Sequence, residues 1–141
     1  MSYQHADYLK NAIPTQNRKA AVARVLRAIR KEIKNGLVFD SIAFSGMSGA
    51  LVAPIVALRL NKETILIRKN GDGSHSNRDS NRVFEGYLDS RRYIIVDDFI
   101  FSGDTVKRIK RVVYGASGAK LVGVAVYNEG KREQFITRYN D

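Results

Sequence analysis

Tyr93-Ile94-Ile95-Val96-Asp97-Asp98-Phe99-Ile100-Phe101-Ser102-Gly103-Asp104-Thr105 places an apolar β-prone run, two adjacent carboxylates and a small-residue turn in direct succession. Residues 93–96 predict a buried strand, and the carboxylates stand where such a strand leaves an α/β sheet. Ser102, Gly103 and Thr105 predict a tight turn that opens a helix. Backbone N–H groups, hydroxyls and the positive helix end at such a turn suit a phosphate monoester. Adjacent carboxylates accept hydrogen bonds from the vicinal hydroxyls of a ribose, so the segment as a whole implies a sugar phosphate. An Asp-rich turn capping a helix after a core strand would present the same residues without any ligand.

Working outward, 141 residues make one domain with room for a real core and little length for a second module. The 24 Lys+Arg against 14 Asp+Glu favour a polyanionic partner, either a small phosphorylated molecule or a nucleic acid. Absence of cysteine removes disulfides, thiolate metal sites and thiol nucleophiles. No apolar run approaches the length of a membrane span, and the first twenty residues carry no signal-peptide core. A cytoplasmic protein is the expectation.

Helical and strand patterns alternate along the chain without an internal repeat. After Pro14, Val22, Val25, Leu26, Ile29 and Ile33 recur at helical spacing, and Gly36 follows as a stop. Strands are predicted over 41–45, 63–68, 82–88, 93–96 and 121–127, helices over 50–60 and 105–114, and a polar loop over 70–81. Strands separated by helices predict an α/β fold: a mainly parallel sheet of four or five strands with helices on both faces.

Two further stretches carry chemistry. Ser45-Gly46-Met47-Ser48-Gly49 leaves a predicted strand and enters a helix, with small residues that let a ligand approach the backbone. Turns of this kind also serve packing alone, and the Gly-Lys-Ser/Thr of a Walker A loop does not follow. Arg68 and Lys69 close the strand that contains Thr64-Ile65-Leu66-Ile67 and precede a segment, 70–82, rich in Gly, Ser, Asn and Asp. Such a composition resists burial and suits a lid.

The thirteen residues 93–105 resemble the phosphoribosyl-pyrophosphate (PRPP) signature of type I phosphoribosyltransferases: four apolar residues, two acids, a few variable positions and a Thr/Ser-Gly-x-Thr turn. The resemblance implies that Asp97 and Asp98 hold the ribose hydroxyls with magnesium nearby, and that Phe101, Ser102, Gly103, Asp104 and Thr105 wrap the 5′-phosphate. Asp104 replaces the glycine common there, and an acid facing a phosphate dianion is repulsive unless it points away or caps the helix. Ser45, Gly46, Met47, Ser48 and Gly49 have the position and character of the family's pyrophosphate loop. Arg68 and Lys69 resemble the strand end of orotate-type members, where a flexible loop follows; His75, Arg78 and Arg82 are its candidate contacts here. The loop lysine of those enzymes is absent.

The implied reaction joins a nucleobase to ribose 5-phosphate with release of pyrophosphate, using Mg2+ and, in catalytic roles, Asp97, Asp98 and Arg68. Homodimers are common in the family, so association is expected. Phe101 stands where 6-oxopurine enzymes often carry an aspartate, which leans the base away from hypoxanthine and guanine. Residues 1–37 and 128–141 are the only sources of the family's base-binding hood, and neither looks like one, so the hood is expected to be reduced or absent.

A second class of function is carried by charge. Arg24, Arg27, Lys31 and Lys34 recur at i, i+3, i+7 and i+10 as a stripe opposite the apolar face of the first helix. Lys107, Lys110 and Arg111 form a shorter cluster. A regulator that senses PRPP or a nucleotide and binds RNA or DNA through this stripe is the alternative.

Overall fold

The computed structural model describes residues 3–4, 6–68, 83–100, 102–129 and 132–137. Its first long element is α1 (Thr15–Lys34), which starts directly after Pro14, an extended N-cap residue whose carbonyl accepts from the Arg18 N–H at 2.9 Å. Then follow β1 (Ser41–Phe44), α2 (Gly46–Ala50), α3 (Ala53–Leu60), β2 (Glu63–Ile67), β3 (Phe84–Gly86), β4 (Arg92–Asp97), α4 (Asp104–Ser117), β5 (Lys120–Glu129) and β6 (Arg132–Thr137). These six strands form one sheet in the order β3-β2-β1-β4-β5-β6. The four central strands are parallel, and β3 and β6 close the edges antiparallel.

Period-two alternation sorts the core into two layers. Ile42, Phe44, Ile94 and Val96 face one side, where they meet Val22, Val25, Leu26 and Ile29 of α1 and Val56 of α3. Ala43, Tyr93 and Ile95 face the other, against Val106, Ile109 and Val113 of α4. Tyr93, Ile94, Ile95 and Val96 are all at most 1% exposed, so each side chain contributes on the order of 1.5–3 kcal/mol of burial. The mainly parallel α/β sheet with helices on both faces matches the sequence expectation.

Three details differ from it. The helix expected over 50–60 breaks into α2 and α3 at Leu51 and Val52. Pro54 explains the break: it sits in the first turn of α3 and cannot donate the hydrogen bond that would continue a helix from Ala50. The tail adds a sixth strand, β6, beside β5. Arg24 leaves the expected stripe, because its guanidinium donates to the Tyr127 carbonyl at 3.0 Å.

The sheet order places a candidate site before any side chain is considered. From β1 the chain moves through α3 to β2 on one side, and later through β4 and α4 to β5 on the other. The connections diverge at the adjacent strands β1 and β4, leaving a crevice outside their C-terminal ends, the usual ligand position of open α/β sheets. The two stretches considered for a hood are largely used elsewhere: α1 packs on the sheet and residues 132–137 extend it.

Candidate functional site

A cleft of about 190 Å³ occupies that crevice. Ser45 and Ser48 line it from the β1 side, Asp97, Asp98, Phe99 and Ile100 from the end of β4, and Ser102, Gly103, Thr105 and Val106 from the start of α4. A larger concavity of about 980 Å³ lies between α1 and α3, and no carboxylate is among the described residues that line it. The smaller cleft is therefore the candidate site.

Local backbone chemistry builds its walls. Gly46 (φ 76°) and Gly103 (φ 81°) both adopt left-handed conformations that a side chain disfavours, one where β1 turns into α2 and the other where α4 begins. Gly49 is needed for closeness: a Cβ there would stand 2.9 Å from the Phe44 Cβ and 3.4 Å from the Val96 carbonyl oxygen. This lets α2 settle onto β1 and β4. Ser102 Oγ accepts from the Asp104 N–H at 3.3 Å, satisfying one of the free donors at the α4 start.

The carboxylates are tightly held. Asp97 Oδ1 accepts from Ser48 Oγ at 3.1 Å and from the Asp98 N–H at 2.9 Å. Asp98 Oδ1 accepts from the Phe99 N–H at 2.9 Å, and Asp98 is only 9% exposed. Burial, with repulsion from Asp98 added, pushes the Asp97 carboxyl up to about 7. Tyr127 stands behind the pair, buried, its hydroxyl donating to the Ser48 carbonyl at 2.8 Å; burial first and the two carboxylates second push its phenol up. Such a site stores unfavourable negative charge that a cation or a hydroxyl-bearing ligand would relieve.

No group of three or more His, Cys, Asp or Glu able to hold a metal ion occurs among the described residues. Two neighbouring carboxylates nonetheless fit magnesium, which commonly takes one or two protein carboxylates and draws its remaining oxygens from substrate and water.

The structure brings Ser45, Ser48, Asp97, Asp98, Ser102, Gly103 and Thr105 to one cleft. Gly46, Met47 and Gly49 shape the α2 turn without lining it, and Met47 is 58% exposed. Asp104 lies exposed in the first turn of α4, outside the cleft lining, where its charge favours the helix dipole. Arg68 follows β2 at the same edge of the sheet, but its guanidinium pairs with Glu85 of β3, Nε to Oε1 at 2.9 Å, and does not line the cleft. Lys69, His75, Arg78, Arg82 and Phe101 lie outside the described residues, as does the whole segment 69–82.

Three residues were not singled out by sequence reasoning. Arg108 of α4 donates to Ser45 Oγ at 3.0 Å and to the Arg68 carbonyl at 3.3 Å, bridging the ends of β1 and β2. Tyr127 supports the α2 turn from below. Tyr8 lines the cleft from the N-terminal segment, which is fastened by Asn11 Nδ2 donating to Asn128 Oδ1 at 2.8 Å. Arg108 lies four residues after Asp104, one helical turn beyond the phosphate-type turn, and that spacing was the available signal.

Comparison with known proteins agrees with this geometry. Among solved structures, the orotate phosphoribosyltransferase of Aeropyrum pernix superposes with a TM-score of 0.63 at 16% identity, covering 85% of this chain and 63% of that one. The adenine phosphoribosyltransferase of Rhodothermus marinus gives 0.59 at 20% identity, covering 88% and 73%. In sequence, the transcriptional regulator GfcR of Methanocaldococcus jannaschii is 27% identical over 127 residues, covering 88% of this chain and 59% of the relative. The chain thus spans about three fifths of the length of the regulator and of the Aeropyrum enzyme. The sequence model of the phosphoribosyl transferase domain matches residues 13–139, and with the sheet order and the cleft between β1 and β4 this chain belongs to the type I phosphoribosyltransferase family.

Proposed function

We propose that this chain is a PRPP-dependent phosphoribosyltransferase that displaces pyrophosphate from C1 of PRPP with a nitrogen of a nucleobase. One observation carries the reading: a buried acid pair, two serines of the β1–α2 turn and the hydroxyl-rich start of α4 share one cleft. A ribose 5-phosphate needs both a diol acceptor and a phosphate cradle, and the described lining of the α1–α3 concavity holds no carboxylate to serve as the first.

In this reading Asp97 and Asp98 accept hydrogen bonds from the ribose hydroxyls and stabilise the positive charge that develops on the sugar ring. Ser102, Gly103, Thr105 and the N-terminal end of α4 receive the 5′-phosphate, while Asp104 stays outside. Ser45, Ser48 and the α2 backbone face the pyrophosphate, joined by Arg68 and Lys69. Arg68 must exchange Glu85 for it, and an exposed, salt-screened pair yields easily. Magnesium, held by Asp97 and Asp98 mainly through oxygens of PRPP itself, would supply neutralisation of the leaving pyrophosphate. His75, Arg78 and Arg82 belong to the segment proposed to cover the site and exclude water. The same reading carries a homodimer in the cytoplasm.

The test is PRPP turnover against orotate, uracil, adenine, hypoxanthine and guanine, with calorimetric Mg-PRPP binding to the native chain and to Asp97→Asn/Asp98→Asn. Base-dependent pyrophosphate release, lost in the double variant together with PRPP affinity, is expected. Undiminished affinity in a folded double variant removes the acid pair from the site. A second reading, a PRPP- or nucleotide-sensing regulator, is favoured by the similarity to a transcriptional regulator. PRPP binding with no turnover on any base selects it.

A further inference from the structure

The concavity of about 980 Å³ between α1 and α3 plays no part in the reaction above. Arg18, Lys19, Arg27, Arg30, Lys31 and Lys34 stand along one wall and Arg59 on the other, and no Asp or Glu is among the described residues that line it. From Lys19 to Lys34 the run extends about 22 Å at the helical rise of 1.5 Å per residue. Duplex DNA presents one phosphate per about 3.4 Å of axis on each strand, so that length faces roughly six phosphates of one strand. Seven cations therefore match the charge such a backbone brings.

We infer that the α1–α3 groove is a docking surface for a nucleic-acid backbone, separate from the PRPP cleft. Two other occupants fit worse. An acidic amphipathic helix would need several large apolar anchor sites, but Val22 and Leu26 on the floor are only 7% and 5% exposed, which leaves the small Ala23 and the half-buried Ile55 as apolar footholds beside seven cations. A second copy joined face to face would set seven cations against seven, and like charges in apposition are strongly unfavourable. No aromatic residue is among the described residues of the lining, which argues for contact with phosphates rather than stacking on bases. Recognition is accordingly independent of sequence. The groove also lies on the helix-covered face, whereas the cleft opens at the strand ends, so both sites can be filled together.

The experiment is fluorescence anisotropy of the intact chain with a labelled mixed-sequence DNA duplex and a labelled single-stranded RNA, over about 50–200 mM salt. Arg27→Glu/Lys31→Glu/Lys34→Glu/Arg59→Glu removes groove charge. Arg91→Glu/Arg92→Glu/Arg111→Glu/Lys120→Glu makes the same net change at exposed positions outside the groove. Circular dichroism checks each fold, and the four-fold Gln version of the groove variant serves if the Glu version does not fold.

Native binding that weakens with salt is expected, with at least about tenfold loss in the groove variant and a log–log salt slope smaller by about 3–4. The control should stay within about threefold of native, because distant exposed charges act only through a screened field. Three results overturn the inference. They are no binding at low salt, equal losses in both variants, or displacement by poly-glutamate as effective as displacement by unlabelled nucleic acid.

Discussion

Arg108 Nη2 donates to Ser45 Oγ across 3.0 Å, tying the helix that follows β4 to the turn that follows β1. The same guanidinium reaches the Arg68 carbonyl at 3.3 Å, so one side chain fixes the relative positions of three segments at the C-terminal edge of the sheet. The α4 start and the α2 turn face each other across the cleft, and their spacing sets its width.

Arg108→Ala is expected to cost about 1–2 kcal/mol, the scale of hydrogen bonds from a charged group at a partly buried site. Mg-PRPP affinity should fall as well, because the two walls lose their brace. Arg108→Lys, with a single point charge, should recover less than half of the loss. Denaturant unfolding and calorimetry measure both effects. A variant with native stability and native affinity would show that the clasp is incidental.

How much of this was legible beforehand follows from physical range. Local patterns registered well: the apolar run 93–96 became β4, the 22–33 periodicity became the core face of α1, and the hydroxyl turn became the start of α4. Long-range pairings did not. Nothing near Arg108 in sequence announces Ser45, 63 residues away, and nothing near Tyr8 announces the acid pair. The stripe failed in part for the same reason: a helical wheel placed Arg24 with Arg27, Lys31 and Lys34, but a carbonyl 103 residues distant captured it. The tail strand β6 was missed because its alternation is interrupted by charge, Arg-Glu-Gln-Phe-Ile-Thr, and only pairing with β5 organises it.

Gly49→Ala tests how closely α2 must approach the sheet. The added methyl meets the Phe44 Cβ at 2.9 Å, an atom fixed to the β1 backbone and unable to swing away. A loss of about 1–3 kcal/mol is expected, typical of overpacking. Displacement of α2 should also loosen Ser48 from Asp97 and weaken Mg-PRPP binding. Thermal unfolding unchanged within error would mean that the turn relaxes freely.

Tyr8 and Asn11 probe the N-terminal side of the cleft. Tyr8 lines it while remaining 67% exposed, and Asn11 anchors its segment to Asn128. If this segment meets the acceptor base, Tyr8→Ala should raise the KM for the base severalfold and leave the Kd for Mg-PRPP close to native. Asn11→Ala should act in the same direction but more weakly, since it removes one partly buried hydrogen bond worth about 1 kcal/mol. An equal loss of PRPP affinity in both variants would assign the segment to the phosphoribosyl half of the site instead.

Asp97 makes stability depend on pH in the direction opposite to an ordinary salt-bridged carboxylate. Burial, with Asp98 beside it, raises its carboxyl from 3.8 to about 7. In the unfolded chain the group returns to its ordinary value, so across the interval between those values the native state holds a proton that the unfolded state has released. Stability falls with rising pH wherever the native state binds more protons. The contribution is therefore fully present below the unfolded pKa and is lost as pH rises towards about 7. Asp97→Asn keeps an oxygen to accept from Ser48 and from the Asp98 N–H but never carries the charge. The ligand-free variant should unfold at a higher temperature than the native chain at about pH 8, with the gap shrinking towards about pH 5. Mg-PRPP should bind the native chain more tightly as pH rises through the same window, since a cation and hydroxyl donors favour the charged carboxylate. Paired melting curves at the two pH values decide the matter: a gap of the same size at both, or a variant less stable at the higher pH, would mean that the Asp97 carboxylate is already relieved in the native protein.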